Sequence, residues 1–204
     1  MGKVLVLGPA ADPVSLAEAK AHCRVYIDDD DGLIAGYALA ARMHLETETR
    51  RAFLTQTWDC TLDNEWPWEW DRRKQGRKYR ITLPKAPLQS IASISYVDSS
   101  GTTQTLAADQ YRVSGANERL GEGLIEPAYG VTWPSLRDQS AAVTVRFVCG
   151  YGPVSNPFPE ELRQAVLLLL GHWYENRETV IVGNPATEMP LSVSSLIFPF
   201  RLFY

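Results

Sequence analysis

The chain has 204 residues, 45% of them hydrophobic and 22% charged, which is enough for a real core in one domain or in a helical body with an inserted lobe. Its formal net charge of -4 gives no global reason for nucleic-acid binding, so any DNA contact must be local. Three cysteines, Cys23, Cys60 and Cys149, are far apart and odd in number, which fits reduced thiols in the cytoplasm rather than a disulfide scaffold.

The opening apolar run Val4 to Leu7 is too short for a signal h-region or a membrane span. No later segment approaches the roughly 20 apolar residues of a spanning helix, so the expectation is a soluble protein with no membrane partner. Ser15-Leu-Ala-Glu18 reads as a capping box that starts a short helix running to about Arg24. The acidic run Asp28 to Asp31 places negative charge where a second helix begins. Along that helix Leu33, Tyr37, Ala41 and Leu45 form an amphipathic stripe to about Arg51. Its small residues Ala35, Gly36, Ala38 and Ala40 would let another helix approach closely.

The period then changes. Trp58, Cys60 and Leu62 alternate with polar residues, as a half-buried strand does, and short runs follow at Tyr79–Leu83, Ile91–Val97, Gln110–Val113 and Val143–Cys149. Turn signals separate them at Leu83-Pro84, Asp98-Ser-Ser-Gly101, Gly121-Glu-Gly123 and Gly150-Tyr-Gly152. Helix returns after Pro159 with Glu160 and Glu161, and its run from Leu162 to Trp173 is apolar on most faces. Gly183-Asn-Pro185 breaks the chain, and Leu191 to Ile197 suits one more short helix.

The expected class is α+β: a helical core interrupted by an antiparallel β-sandwich or barrel-like insertion, ending in an extended C-terminal tail. The boundaries read as 1–54 for the N-terminal helical part, 55–152 for the β-rich insertion, 153–190 for the C-terminal core helix and 191–204 for the tail.

Chemistry leaves little trace. There is no G-x-S-x-G elbow, no phosphate-binding glycine loop and no C-x-x-C pair. His22, His44 and His172 lie on predicted helices without a second ligand one turn on. No catalytic residue, cofactor or metal is therefore expected.

Three segments invite contact. In Glu65-Trp-Pro-Trp-Glu-Trp70, carboxylates interleave with Trp66, Trp68 and Trp70 on a predicted loop, either as a sugar-stacking platform or as a protein-contact and packing cluster. Directly after it Arg72, Arg73, Lys74, Arg77 and Lys78 form the densest basic patch in an acidic chain. That patch suits DNA phosphates, an acidic neighbouring subunit, or simply a solvated hairpin tip. The third segment is the aromatic end of the chain, with Phe198, Phe200, Arg201, Leu202, Phe203 and Tyr204. From physics alone this tail either folds back on its own core or docks into another protein.

Pro13-Val-Ser-Leu-Ala-Glu-Ala-Lys20, His22-Cys-Arg-Val25, the Asp28–Asp31 run and Thr55-Gln-Thr-Trp58 together resemble the head–tail connector (adaptor) family of long-tailed bacteriophages. So do Leu83-Pro-Lys-Ala-Pro-Leu-Gln-Ser-Ile91, Ser95-Tyr-Val-Asp98, Tyr111-Arg-Val113, Val143-Thr-Val-Arg-Phe-Val-Cys-Gly-Tyr-Gly152 and His172-Trp-Tyr-Glu-Asn-Arg-Glu178. The resemblance covers nearly the whole chain in order. It implies a virion neck protein, assembled in the host cytoplasm, with no enzymatic activity. Implied partners are the portal protein, neighbouring copies in a dodecameric ring, the next neck or tail-terminator protein, and phage DNA passing through the channel. It also implies that Phe198 to Tyr204 dock on the portal. A tail-completion or other neck protein is the alternative, and a carbohydrate-binding module rests only on the Trp-Glu segment. The departure from the family lies at Glu65–Lys78, which is unusually rich in tryptophan and arginine.

Overall fold

The computed structural model describes residues 1–71, 76–118, 121–153, 158–177 and 190–202. The chain divides into two compact units, one of Met1–Gly8 with Thr55–Gly150 and one of Pro9–Leu54 with Tyr151–Tyr204.

The first unit is built of strands: β1 (Gly2–Leu7), β2 (Gln56–Leu62), β3 (Trp68–Asp71), β4 (Gly76–Tyr79), β5 (Ile81–Thr82), β6 (Leu88–Val97), β7 (Thr103–Thr105), β8 (Tyr111–Ser114), β9 (Leu124–Pro127) and β10 (Val143–Cys149). An antiparallel five-stranded sheet runs in the order β1-β2-β10-β6-β7, beside a three-stranded sheet β5-β9-β8 and the hairpin β3-β4. The α+β class expected from the sequence is found, and no closed barrel forms among the described residues.

Alternation decides the faces of the large sheet. Cys60 lies opposite Val145, which lies opposite Ile94, and all three are buried. Val143, Phe147 and Cys149 continue that inner face. Between them Arg146 points to the other face, where its guanidinium makes a two-pronged pair with Asp59 at 2.8 Å in both arms. That pair holds the Asp59 carboxyl below its ordinary range, chiefly through the Arg146 hydrogen bonds. At β1 the order fails: all six residues are exposed although four of them are Val or Leu. The sequence reading placed these residues with the helical part; they pair with β2 instead.

The second unit holds α1 (Leu16–Cys23), α2 (Asp31–Thr49), α3 (Glu160–Glu175) and α4 (Leu191–Ile197). Ser15 caps α1 by accepting the Glu18 amide, at 3.3 Å. The Glu18 carboxylate reaches Arg163 of α3 instead, 3.1 Å away. The core-facing stripe of α2 is Ile34, Ala38, Ala41 and Leu45, so it is turned from the expected one: Leu33 is exposed and Tyr37 half-buried. It meets Leu162, Ala165, Val166, Leu169 and Leu170 of α3, the most buried helix expected from its apolar run.

A polar network closes the unit. Arg42 donates to Asp12 at 2.7 Å and to Glu46 at 3.2 Å, and Glu46 accepts the Phe53 amide at 2.7 Å. Buried charge is tolerable here because each group has a charged or hydrogen-bonding partner.

Candidate functional site

The aromatic C-terminal segment is positioned by α4 and the single 3-10 turn Phe198–Phe200 that follows it. Val193 and Ile197, one helical turn apart, enter the core of the helical unit, and Phe200 and Leu202 follow them to 4% and 8% exposure. Arg51, itself buried, donates from Nε to the Phe200 carbonyl at 2.5 Å. The Leu202 amide donates to the Thr49 carbonyl at 3.3 Å, and Arg201 pairs with Glu48 at 2.8 Å. Burying four such side chains is worth about 1.5–3 kcal/mol each, so this part of the segment is a fixture of the core. Phe198 differs: its ring is 63% exposed. Phe203 and Tyr204 lie outside the described residues.

The tryptophan-rich segment is not a loop throughout. Trp68–Asp71 pairs with Gly76–Tyr79, which sets Trp70 opposite Arg77 in the ladder. Trp66 is buried, stacks on Trp133 at 4.6 Å between centroids, lies 6.4 Å from Tyr96 and donates from Nε1 to the Pro134 carbonyl at 2.8 Å. These are the contacts of a core residue. Trp68 is exposed and donates to Glu65 at 3.0 Å. Next to Trp66 and Trp133 lies an open cleft of about 260 Å3 bordered by Asn64, Glu65, Tyr79 and Leu136. Sequence reasoning missed Trp133, because nothing in the spacing of a residue 67 positions on signals a stack with Trp66.

Lys78 of the basic patch and Arg80 just beyond it both converge on Glu126, at 2.9 and 3.0 Å. The Lys78 hydrogen bond, before the smaller contribution of Arg80, holds the Glu126 carboxyl below its ordinary range. Part of the basic run is thus neutralised within its own unit. Arg72, Arg73 and Lys74 lie outside the described residues.

The acidic run before α2 ties helices together. Lys20 sits 2.6 Å from both Asp28 and Asp31, while Asp30 accepts from Tyr174 at 2.6 Å and from Arg177 at 2.8 Å. Tyr174 and then Arg177 hold the Asp30 carboxyl below its ordinary range. His44 packs edge-on to Trp173, apart from His22 and His172, which border one open cleft with Cys23 and Glu175. Among the described residues no group of three or more His, Cys, Asp or Glu side chains is placed to hold a metal, and no helix is long and apolar enough to cross a membrane. No disulfide joins Cys23, Cys60 or Cys149, and burial pushes the Cys60 thiol up to about 11.

Exposed apolar groups among the described residues include runs on β1 and on the outer side of α2, together with Tyr26, Ile27, Tyr129, Leu191 and Phe198.

No family model and no curated protein matches the chain. Solved structures do. A chain in the neck of an empty gene transfer agent (GTA) particle, computed with C6 symmetry, aligns with a TM-score of 0.77 at 24% identity over 100% of this chain and 97% of that one. A chain of the native GTA virion aligns with a TM-score of 0.76 at 24% identity, again over 100% and 97%. A chain in the native GTA neck, computed with C12 symmetry, aligns with a TM-score of 0.71 at 26% identity over 98% and 96%. The fold of this chain is that of these neck and virion chains along its whole length.

Proposed function

We propose that this chain is a structural neck protein of a phage-like particle: a head–tail adaptor that forms a ring under the portal, extends the DNA channel and offers a platform to the next neck or tail protein. The observation that carries this reading is the end-to-end likeness to chains of GTA necks, one of them solved with twelve-fold symmetry, at TM-scores of 0.71 to 0.77. A likeness that leaves almost nothing of either chain over favours a shared role in the assembly over a shared module.

Its work is assembly. Copies related by a cyclic axis meet through two different surfaces, so the contact closes into a ring by symmetry. A modest portal contact repeated around that ring gains avidity, because each later contact forms at high effective concentration. In the same reading the exposed Phe198 ring and the residues after Leu202 supply the portal contact, since the segment between them is engaged in the core of its own unit.

Co-sedimentation with portal-containing, DNA-filled capsids tests this. The full chain should sediment with the particles, and a Phe198→Ala chain and a chain ending at Leu202 should each bind at least tenfold more weakly. No binding by the full chain overturns the adaptor reading. Undiminished binding by both variants moves the portal contact off the tail.

A further inference from the structure

Among the described residues two apolar surfaces stand exposed. Among the described residues strand β1 is an edge strand, hydrogen-bonded to β2 on one side, and Val4, Leu5, Val6 and Leu7 are 45–66% exposed. Its side chains are apolar on both faces, which is the composition of a covered strand. Edge strands are normally short, charged or shielded, and Lys3 is the only charged side chain on this one.

The second surface is the outer side of α2. Gly32, Ala35, Gly36, Leu39, Ala40 and Met43 are all exposed there. No charge interrupts them, and the space above Gly32 and Gly36 is open to at least 4 Å. Leu39 is 41% and Met43 56% exposed, so the face is a shallow apolar trough and not merely a line of small residues.

The two surfaces match in length. From Gly32 to Met43 a helix rises roughly 17 Å, and six residues of strand span roughly 20 Å. They also differ from each other, and that decides their use. Two α2 faces meeting, or two β1 strands meeting, would make an isologous contact that stops at a dimer. A β1 strand meeting an α2 face uses one surface of each copy and leaves the complementary surface free on both, so the contact propagates. Chains of this fold occur in necks with C6 and C12 symmetry, where propagation must close into a ring.

We propose that β1 of one copy seats in the apolar outer face of α2 of the next copy. This rests on the reading of the chain as a ring subunit of a neck, and it names the surfaces that make the ring.

The experiment uses the full chain with Cys23→Ser, which removes the half-buried native thiol and leaves the buried Cys60 and Cys149. Val6→Cys and Met43→Cys are introduced separately and together, with Tyr129→Cys, a fully exposed position, as the control. Each set is treated with a short bis-maleimide, free at high concentration and bound to portal-containing capsids. Mixing the two single variants should give a covalent dimer at least tenfold above the control, and the double variant should give a ladder of higher oligomers.

Gly36→Glu on one chain and Leu5→Lys with Leu7→Lys on another should each abolish the ladder in the double-cysteine background. Their mixture should yield a dimer and nothing larger, because only one β1–α2 pairing survives. Capsid binding without a ladder overturns the β1–α2 contact and leaves the neck reading standing. A ladder without capsid binding supports the contact and removes the portal-adaptor reading. The absence of both overturns the two together.

Discussion

The two ends of the chain are both short and apolar, yet the fold treats them in opposite ways. The segment from Leu191 to Leu202 sends Val193, Ile197, Phe200 and Leu202 into a core, while β1 sends none of its Val and Leu side chains into one. Apolar content does not separate them; anchoring does. The C-terminal segment is held by side chains reaching to its backbone and charge, Arg51 to the Phe200 carbonyl and Glu48 to Arg201. Strand β1 has a backbone ladder along one edge, and its Val and Leu side chains stay 45–66% exposed among the described residues. The lesson is that an apolar run marks surface to be covered, and that buried polar partners show whether the chain itself does the covering.

The contrast breaks most visibly at Phe200. Phe200→Ala removes a nearly fully buried ring and should cost about 3–5 kcal/mol, read as a fall in the urea midpoint at unchanged slope. Arg51→Met keeps much of the volume but leaves the Phe200 carbonyl without this donor, for a loss of about 1.5–3 kcal/mol. It should also raise chymotryptic cleavage after Phe200 without exposing the rest of the helical unit. If Arg51→Met is neutral, packing alone holds the segment and the anchoring argument falls.

Much of this architecture was legible in the sequence. The amphipathic and all-apolar helix patterns gave α2 and α3, and the two-residue alternation gave β10 most clearly, because its burial pattern repeats several times within the element. Strand β1 was not legible, since Val4–Leu7 has no polar alternation and its partner lies more than fifty residues on. Trp66 was visible as an anomaly but not as a core residue, because its burial depends on Trp133. The stripe of α2 was read turned from its true position, Leu33 and Tyr37 being exchanged for Ile34 and Ala38. A helix apolar on its outer side as well as its inner side gives periodicity too little contrast to choose between them.

The opposite edge of the large sheet sharpens the comparison. Strand β7 is a polar edge of three exposed residues, pinned by Asp98, whose carboxylate accepts the amides of Ser100 and Thr102 at 2.9 and 3.0 Å, the Ser100 hydroxyl at 2.5 Å and the Gln104 side chain at 3.1 Å. The Ser100 hydroxyl first, then the Thr102 amide and Gln104, hold that carboxyl at about 2 against an ordinary 3.8. A depressed carboxyl stabilises above its unfolded pKa and loses that contribution as pH falls through its folded one. Protection of the Ser100 and Thr102 amides, taken as their exchange relative to the free-peptide rate at each pH, should therefore fall between about pH 4 and pH 2, and Asp98→Asn should remove that fall. Exchange along β1, which carries no carboxylate, should not follow it.

The smallest expected effect is the one that separates the two chain ends most sharply. Leu5→Lys changes a residue that is 46% exposed and whose backbone pairing with Trp58 does not depend on the side chain. Thermal unfolding of the isolated chain should shift by no more than about 0.5 kcal/mol, as for surface substitutions away from special features. A loss comparable to that of Phe200→Ala would mean that β1 is covered by its own chain, and the symmetry between the two ends would be restored. A neutral result places the cost of leaving those side chains in water on the isolated subunit, where assembly alone can relieve it.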